Sequence, residues 1–103
     1  MAMSTPPVTR TVVIVNPNGL HARPAERLAR TAMQFESRIE VLCRNERVDA
    51  KSILHLLTLG ATHGTELIIE ADGHDARQAV ESLAQLVESG FVEEQKPASE
   101  KSK

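Results

Sequence analysis

Within the run Asn16-Pro17-Asn18-Gly19-Leu20-His21-Ala22-Arg23-Pro24-Ala25, an imidazole and a guanidinium stand two positions apart. Imidazole is the side chain that acts as a nucleophile near neutral pH without an auxiliary base, because its unperturbed pKa is about 6.5. If His21 takes up a phosphoryl group, the product is a dianion or nearly so. Arg23 then offers a planar fork of donors to its oxygens, which a lysine cannot supply. No metal is needed for such chemistry. The plainer alternative makes His21 a helix cap and Arg23 a solvated surface charge. For an isolated histidine before a helix that alternative is the default, and only the whole string around His21 displaces it.

Such a site needs elements that orient it. Thr11 to Val15 (TVVIV) is a β-branched run that ends at Asn16-Pro17-Asn18-Gly19, a cluster that breaks a strand ladder. Beyond it Ala25, Leu28, Ala29, Ala32 and Met33 recur at helical spacing, with Glu26, Arg27 and Arg30 on the other side. His21, Ala22 and Arg23 therefore fall at a helix N-terminus, where the first amides lack intrahelical partners and the helix dipole favours an anion. Pro24 suits the first turn, which has no use for its missing N–H. Its ring disfavours α geometry at Arg23, so the first helical residue lies anywhere from Ala22 to Pro24.

From Arg38 the period drops to two. Ile39, Val41 and Cys43 alternate with Glu40, Leu42 and Arg44, then Val48 and Ala50 with Arg47 and Asp49, and Asn45 marks the hairpin turn because Asn tolerates a left-handed backbone. Ser52 caps a short helix that runs through Leu59 and stops at Gly60, and Glu66 to Ala71 form a fourth strand. A last helix carries Ala76, Ala79, Val80, Leu83, Leu86 and Val87 on one stripe, with Asp75 and Gln78 spaced as a capping box and Gly90 as its stop. The order β-α-β-β-α-β-α, with alternating strands that each offer one apolar face, specifies an α+β fold. It is an open-faced two-layer sandwich of four largely antiparallel strands with helices on one face. Residues 1–7 read as a flexible extension, 8–92 as the domain, and 93–103, nearly devoid of apolar side chains, as a disordered tail.

Composition removes several function classes. The 103 residues hold 12 Lys and Arg against 14 Asp and Glu, so the basic excess of a general nucleic-acid binder is missing. Two Phe with no Trp or Tyr argue against base stacking and leave an aliphatic core. Cys43 alone makes neither a disulfide nor a metal cluster, and in its alternating apolar strand it reads as a buried, inert thiol. His55, His63 and His74 show no zinc-ligand spacing and read as surface residues. No run approaches the roughly 20 apolar residues of a membrane span, and Met1 to Pro7 lacks the features of a secretory signal. A cytoplasmic location without membrane insertion is expected.

The string Gly19 to Ala25 (GLHARPA) resembles the active-centre signature of HPr, the histidine phosphocarrier of the phosphoenolpyruvate-dependent sugar phosphotransferase system. Lys51-Ser52-Ile53-Leu54, continuing to Thr58-Leu59-Gly60, is similar to the family's regulatory-serine segment, and the pattern runs from about Val8 to Phe91 without an apparent insertion. The resemblance implies that His21 is phosphorylated on Nδ1 by phosphorylated enzyme I, and that Arg23 and the first-turn amides, Ala22 among them, hold the group. It implies delivery to enzyme IIA proteins, no cofactor, and no turnover of the carrier's own. It places partner docking around the first and short helices, at Leu20, Arg30, Ile53, Leu54 and Leu57, on a chain expected to be a monomer. Met33 and His55 depart from lysines often found at matching places, which weakens the pull on acidic partners.

Ser52 has two readings, a helix cap and, as in the low-GC Gram-positive branch of the resembled family, a target of an HPr kinase/phosphorylase. Three other uses compete with sugar transport. The same fold serves a regulatory carrier whose phosphorylated forms control enzymes or transcription. The second is a small α+β phosphatase or acyl-phosphatase, with Arg23 gripping phosphate and His21 as acid or base; it would need a second group to activate water, and none lies in the motif. A binding module without covalent chemistry is the third, and for it His21 would be dispensable.

Overall fold

Residues 6–92 are described by the computed structural model. The expected extension and tail fall largely on residues 1–5 and 93–103, which lie outside the described residues, and Pro6 and Pro7 are exposed without regular structure.

Period-two alternation makes the sheet. Its strands are β1 (Val8–Val13), β2 (Arg38–Cys43), β3 (Glu46–Asp49) and β4 (Glu66–Asp72). They are arranged in the order β1-β4-β2-β3, and every pairing among the described residues is antiparallel. β1 starts earlier and stops sooner than Thr11–Val15, because β4 supplies partners from Val8↔Ala71 to Val13↔Glu66. Ile14 has already left the ladder, bonded through its N–H to the Thr65 carbonyl and through its own carbonyl to Gly64. The β2–β3 turn has its left-handed residue at Arg44, with φ of 56°, and not at Asn45. The tight pairing Cys43↔Glu46 requires it there whatever side chain the position carries.

Helices α1 (Ala22–Ala32), α2 (Ile53–Thr58) and α3 (Ala76–Glu88) complete the order. α3 packs on β1 and β4, α1 lies against α3 on one side and α2 on the other, and α2 reaches β3. Ala25, Leu28, Ala29 and Ala32 are buried as their spacing predicts, but Met33 caps the helix and is 62% exposed. Between the layers Ile14, Leu28, Ile39, Leu56, Leu67, Ile69 and Leu83 are fully buried, each contributing on the order of 1.5–3 kcal/mol by leaving water. Cys43 lies among them.

The capping box at α3 does not form. Asp75 makes no side-chain cap bond; its carboxylate instead accepts from the Glu36 and Ser37 amides, at 2.9 and 3.0 Å, and from the Ser37 hydroxyl. Three donors from the entry to β2 outcompete the helix's own amides. The other end of α3 closes as expected: the Gly90 N–H reaches the Val87 carbonyl and the Phe91 N–H that of Leu86, with φ of 77° at Gly90. No helix among the described residues is long and apolar enough to cross a membrane.

Candidate functional site

The turn that presents His21 is held from both sides. Asn16 starts it, the Gly19 N–H returning to the Asn16 carbonyl at 3.1 Å across Pro17 and Asn18, a geometry Pro favours in second position. Gly19 adopts φ of 69°, and a Cβ there would lie 2.5 Å from the Ala61 carbonyl oxygen and 2.9 Å from Thr62 Cα. Both its conformation and the close approach of the 61–62 backbone exclude any other residue. Leu20 then donates its N–H to that same Ala61 oxygen at 2.9 Å.

His21 is the N-cap of α1, with extended backbone, and its carbonyl accepts the first intrahelical bond, from Ala25 at 2.9 Å. Its imidazole makes no cap bond and is exposed. His21 therefore caps the helix through its backbone alone, and its ring is left for other chemistry. Ala22 and Arg23 form the start of the first turn, Pro24 bringing no N–H, so two amides point out of the helix with no backbone acceptor among the described residues. No acidic side chain occupies this turn, and the exposed Arg23 guanidinium has no ion-pair partner among the described residues. His21 and Arg23 open on a shallow cavity of about 190 Å³, shared with Asn16, Asn18, Arg27 and Phe91. Unpaired amides, a guanidinium and a helix dipole around an accessible imidazole can stabilise a phosphoryl group on it.

Three wall residues are missing from the expected set. Arg27 donates to the Phe91 carbonyl at 2.6 Å, tying α1 to the exit of α3. Phe91 is buried with φ of 66°, a strained value for an aromatic residue. Asn16 donates from Nδ2 to the Gly19 carbonyl at 2.6 Å, while its Oδ1 is buried without a partner, an arrangement that costs about 1–3 kcal/mol. The spacing Arg23 to Arg27 signals a shared helix face, whereas nothing near Asn16 or Phe91 in the chain announces their meeting.

The other expected residues divide. Leu20 is 4% exposed and belongs to the core, so it is not a docking residue: its pinned amide turns the side chain inward. Arg30, paired with Glu26 one turn back, lines a groove of about 340 Å³ with Ala29, Met33, Lys51 and Ile53. Leu54 is 74% exposed and Leu57 lies at the surface of the same short helix, while Leu56 turns inward. Ser52 is the N-cap of α2, its hydroxyl accepting from the His55 amide at 3.2 Å. Lys51 beside it reaches the Phe35 carbonyl at 2.8 Å. His55, His63 and His74 are all exposed.

A sequence model for the phosphorylation site of the phosphotransferase-system component HPr matches residues 8–89. The chain belongs to the HPr family. Phosphocarrier protein HPr of Haemophilus influenzae is 44% identical over 79 residues, covering 77% of this chain and 93% of that protein. HPr of Mycoplasma capricolum is 35% identical over 82 residues, 79% of this chain and 92% of the relative. The crystal structure of HPr-C-His from Thermoanaerobacter tengcongensis matches with a TM-score of 0.80 at 41% identity, over 85% of this chain and 99% of that one. Fold and family agree, and the function is that of an HPr phosphocarrier in the phosphotransferase system.

Proposed function

We propose that His21 is the residue that carries the phosphoryl group, received from phosphorylated enzyme I and passed to enzyme IIA proteins. The lone pair of Nδ1 forms the N–P bond as the bond from phosphorus to the donor breaks, the donor atom keeping that electron pair; delivery to the next acceptor repeats the exchange with the roles reversed. Arg23 and the Ala22 and Arg23 amides balance the charge on the oxygens throughout. The observation that carries this reading is an exposed imidazole without a cap bond, beside unpaired amides and the Arg23 guanidinium, in a cavity none of whose described walls is a carboxylate. Water finds no general base there, which favours a carrier without turnover of its own over a phosphatase.

Arg30, Ile53, Leu54 and Leu57 form the docking surface in this reading, and Ser52, at its edge, is the position where a kinase would control docking by adding charge. The carrier works as a cytoplasmic monomer. Incubation with phosphoenolpyruvate and enzyme I, followed by mass measurement, is expected to add one phosphoryl group that is acid-labile and alkali-stable, since a protonated phosphoramidate nitrogen leaves readily. Persistent labelling of His21→Ala would remove His21 from the role.

A further inference from the structure

We propose that Asn16 is a positioning residue for phosphoryl transfer, fixing the turn that aims the His21 imidazole; the inference rests on His21 being the acceptor. Asparagine at the first position of such a turn ordinarily accepts, through Oδ1, from a backbone amide two residues on. Here the amide faces the other way. Its Nδ2 donates to the Gly19 carbonyl at 2.6 Å, and its Oδ1 is left buried without a partner. A carbonyl only accepts, so the NH2 side must face Gly19.

The same Gly19 oxygen also accepts the His21 N–H at 3.0 Å. Both of its lone-pair directions are thus occupied, one by Asn16 and one by the nucleophile's own backbone. From the other flank, the Ala61 carbonyl holds Leu20. The peptide from Gly19 to Leu20 is gripped on both sides, and with it the position from which the His21 side chain departs. Asn16 also stands in the wall of the cavity onto which His21 and Arg23 open. An amide that forgoes its usual turn bond, and leaves an oxygen buried without a partner to hold the carbonyl beneath the nucleophile, serves the alignment of that nucleophile.

The test measures kcat and KM for the full chain as acceptor with catalytic amounts of phosphorylated enzyme I, with thermal melts alongside. Wild type is compared with Asn16→Asp, Asn16→Ala and His21→Ala. Aspartate keeps the shape but sets an oxygen against the Gly19 oxygen, so kcat is expected to fall about ten- to a hundredfold, the scale of a small misplacement of reacting groups. KM should hold, since Asn16 touches no partner in this reading. Alanine, which loses the grip without the repulsion, is expected to fall less. Wild-type kcat in both Asn16 variants would overturn the proposal, as would a loss confined to KM or one that follows the melt and vanishes on cooling. Labelling of His21→Ala would instead overturn the acceptor assignment and the proposal with it.

Discussion

Arg23 is the residue whose contribution separates most cleanly from folding. It is exposed, without an ion-pair partner among the described residues, and lines the cavity onto which His21 opens. Truncation to alanine removes no packing, so melting should be unchanged while phosphoryl passage slows. Loss of one oriented donor to developing charge costs on the order of 3 kcal/mol, about a hundredfold in rate. Arg23→Lys is expected to recover part of this, because a point charge returns without the fork. Rapid-quench transfer rates for the two variants check the claim; an Arg23→Ala protein as fast as wild type would leave the helix amides sufficient by themselves.

At the level of elements, α2 unites two demands on one residue. Its six residues are few for a helix, and Ser52 satisfies one of its free amides through the bond from His55. Ser52→Ala is expected to lower stability by about 1 kcal/mol. Ser52→Asp should melt like wild type, since aspartate also caps and suits the positive end of the dipole. Enzyme I-dependent phosphorylation of His21 should nevertheless slow, because the new charge borders Ile53 and Leu54 and has to be desolvated when a partner docks. Equal phosphorylation rates in wild type, Ser52→Ala and Ser52→Asp would take Ser52 off the docking face. Elements of this kind were legible in the chain because burial inside a helix or strand repeats at a fixed period: Ala25, Leu28, Ala29 and Ala32 in α1, and Ala76, Ala79, Val80, Leu83 and Val87 in α3. The Ser52 cap, the Gly90 stop and the motif at the head of α1 are local signals too. Leu20 and Asp75 were misread because their surroundings come from Ala61 and from Glu36 and Ser37, and no local spacing encodes a distant carbonyl or amide.

Across the whole molecule, Asp75 joins the start of α3 to the entry of β2, and acid should loosen that joint. The Ser37 hydroxyl first, then the Glu36 and Ser37 amides, hold its carboxyl down from 3.8 to about 2. A carboxyl with a lowered folded-state pKa adds stability that is complete above pH 3.8 and is lost as pH falls through about 2. Asp75→Asn should therefore melt below wild type at neutral pH, with the gap closing as pH approaches 2; a gap independent of pH would mean that shape, not charge, makes the bond. His74 acts with the opposite sign, its pKa raised by the hydrogen bond to Glu36, so its contribution is present in acid and lost as pH rises. The pair is exposed and contributes little. The motif announces that His21 and Arg23 stand on one cavity, but not its walls, since Arg27 meets Phe91 across 64 positions of chain. That separation bears on synthesis. The signature leaves the ribosome early, yet the grip on Leu20 awaits residue 61, the sheet partner of Val8 is Ala71, and the far wall of the cavity is Phe91. Long-range pairings of this sort form late, after their loop-closure entropy has been met. A nascent chain therefore bears His21 without its finished cavity until almost the whole domain has emerged.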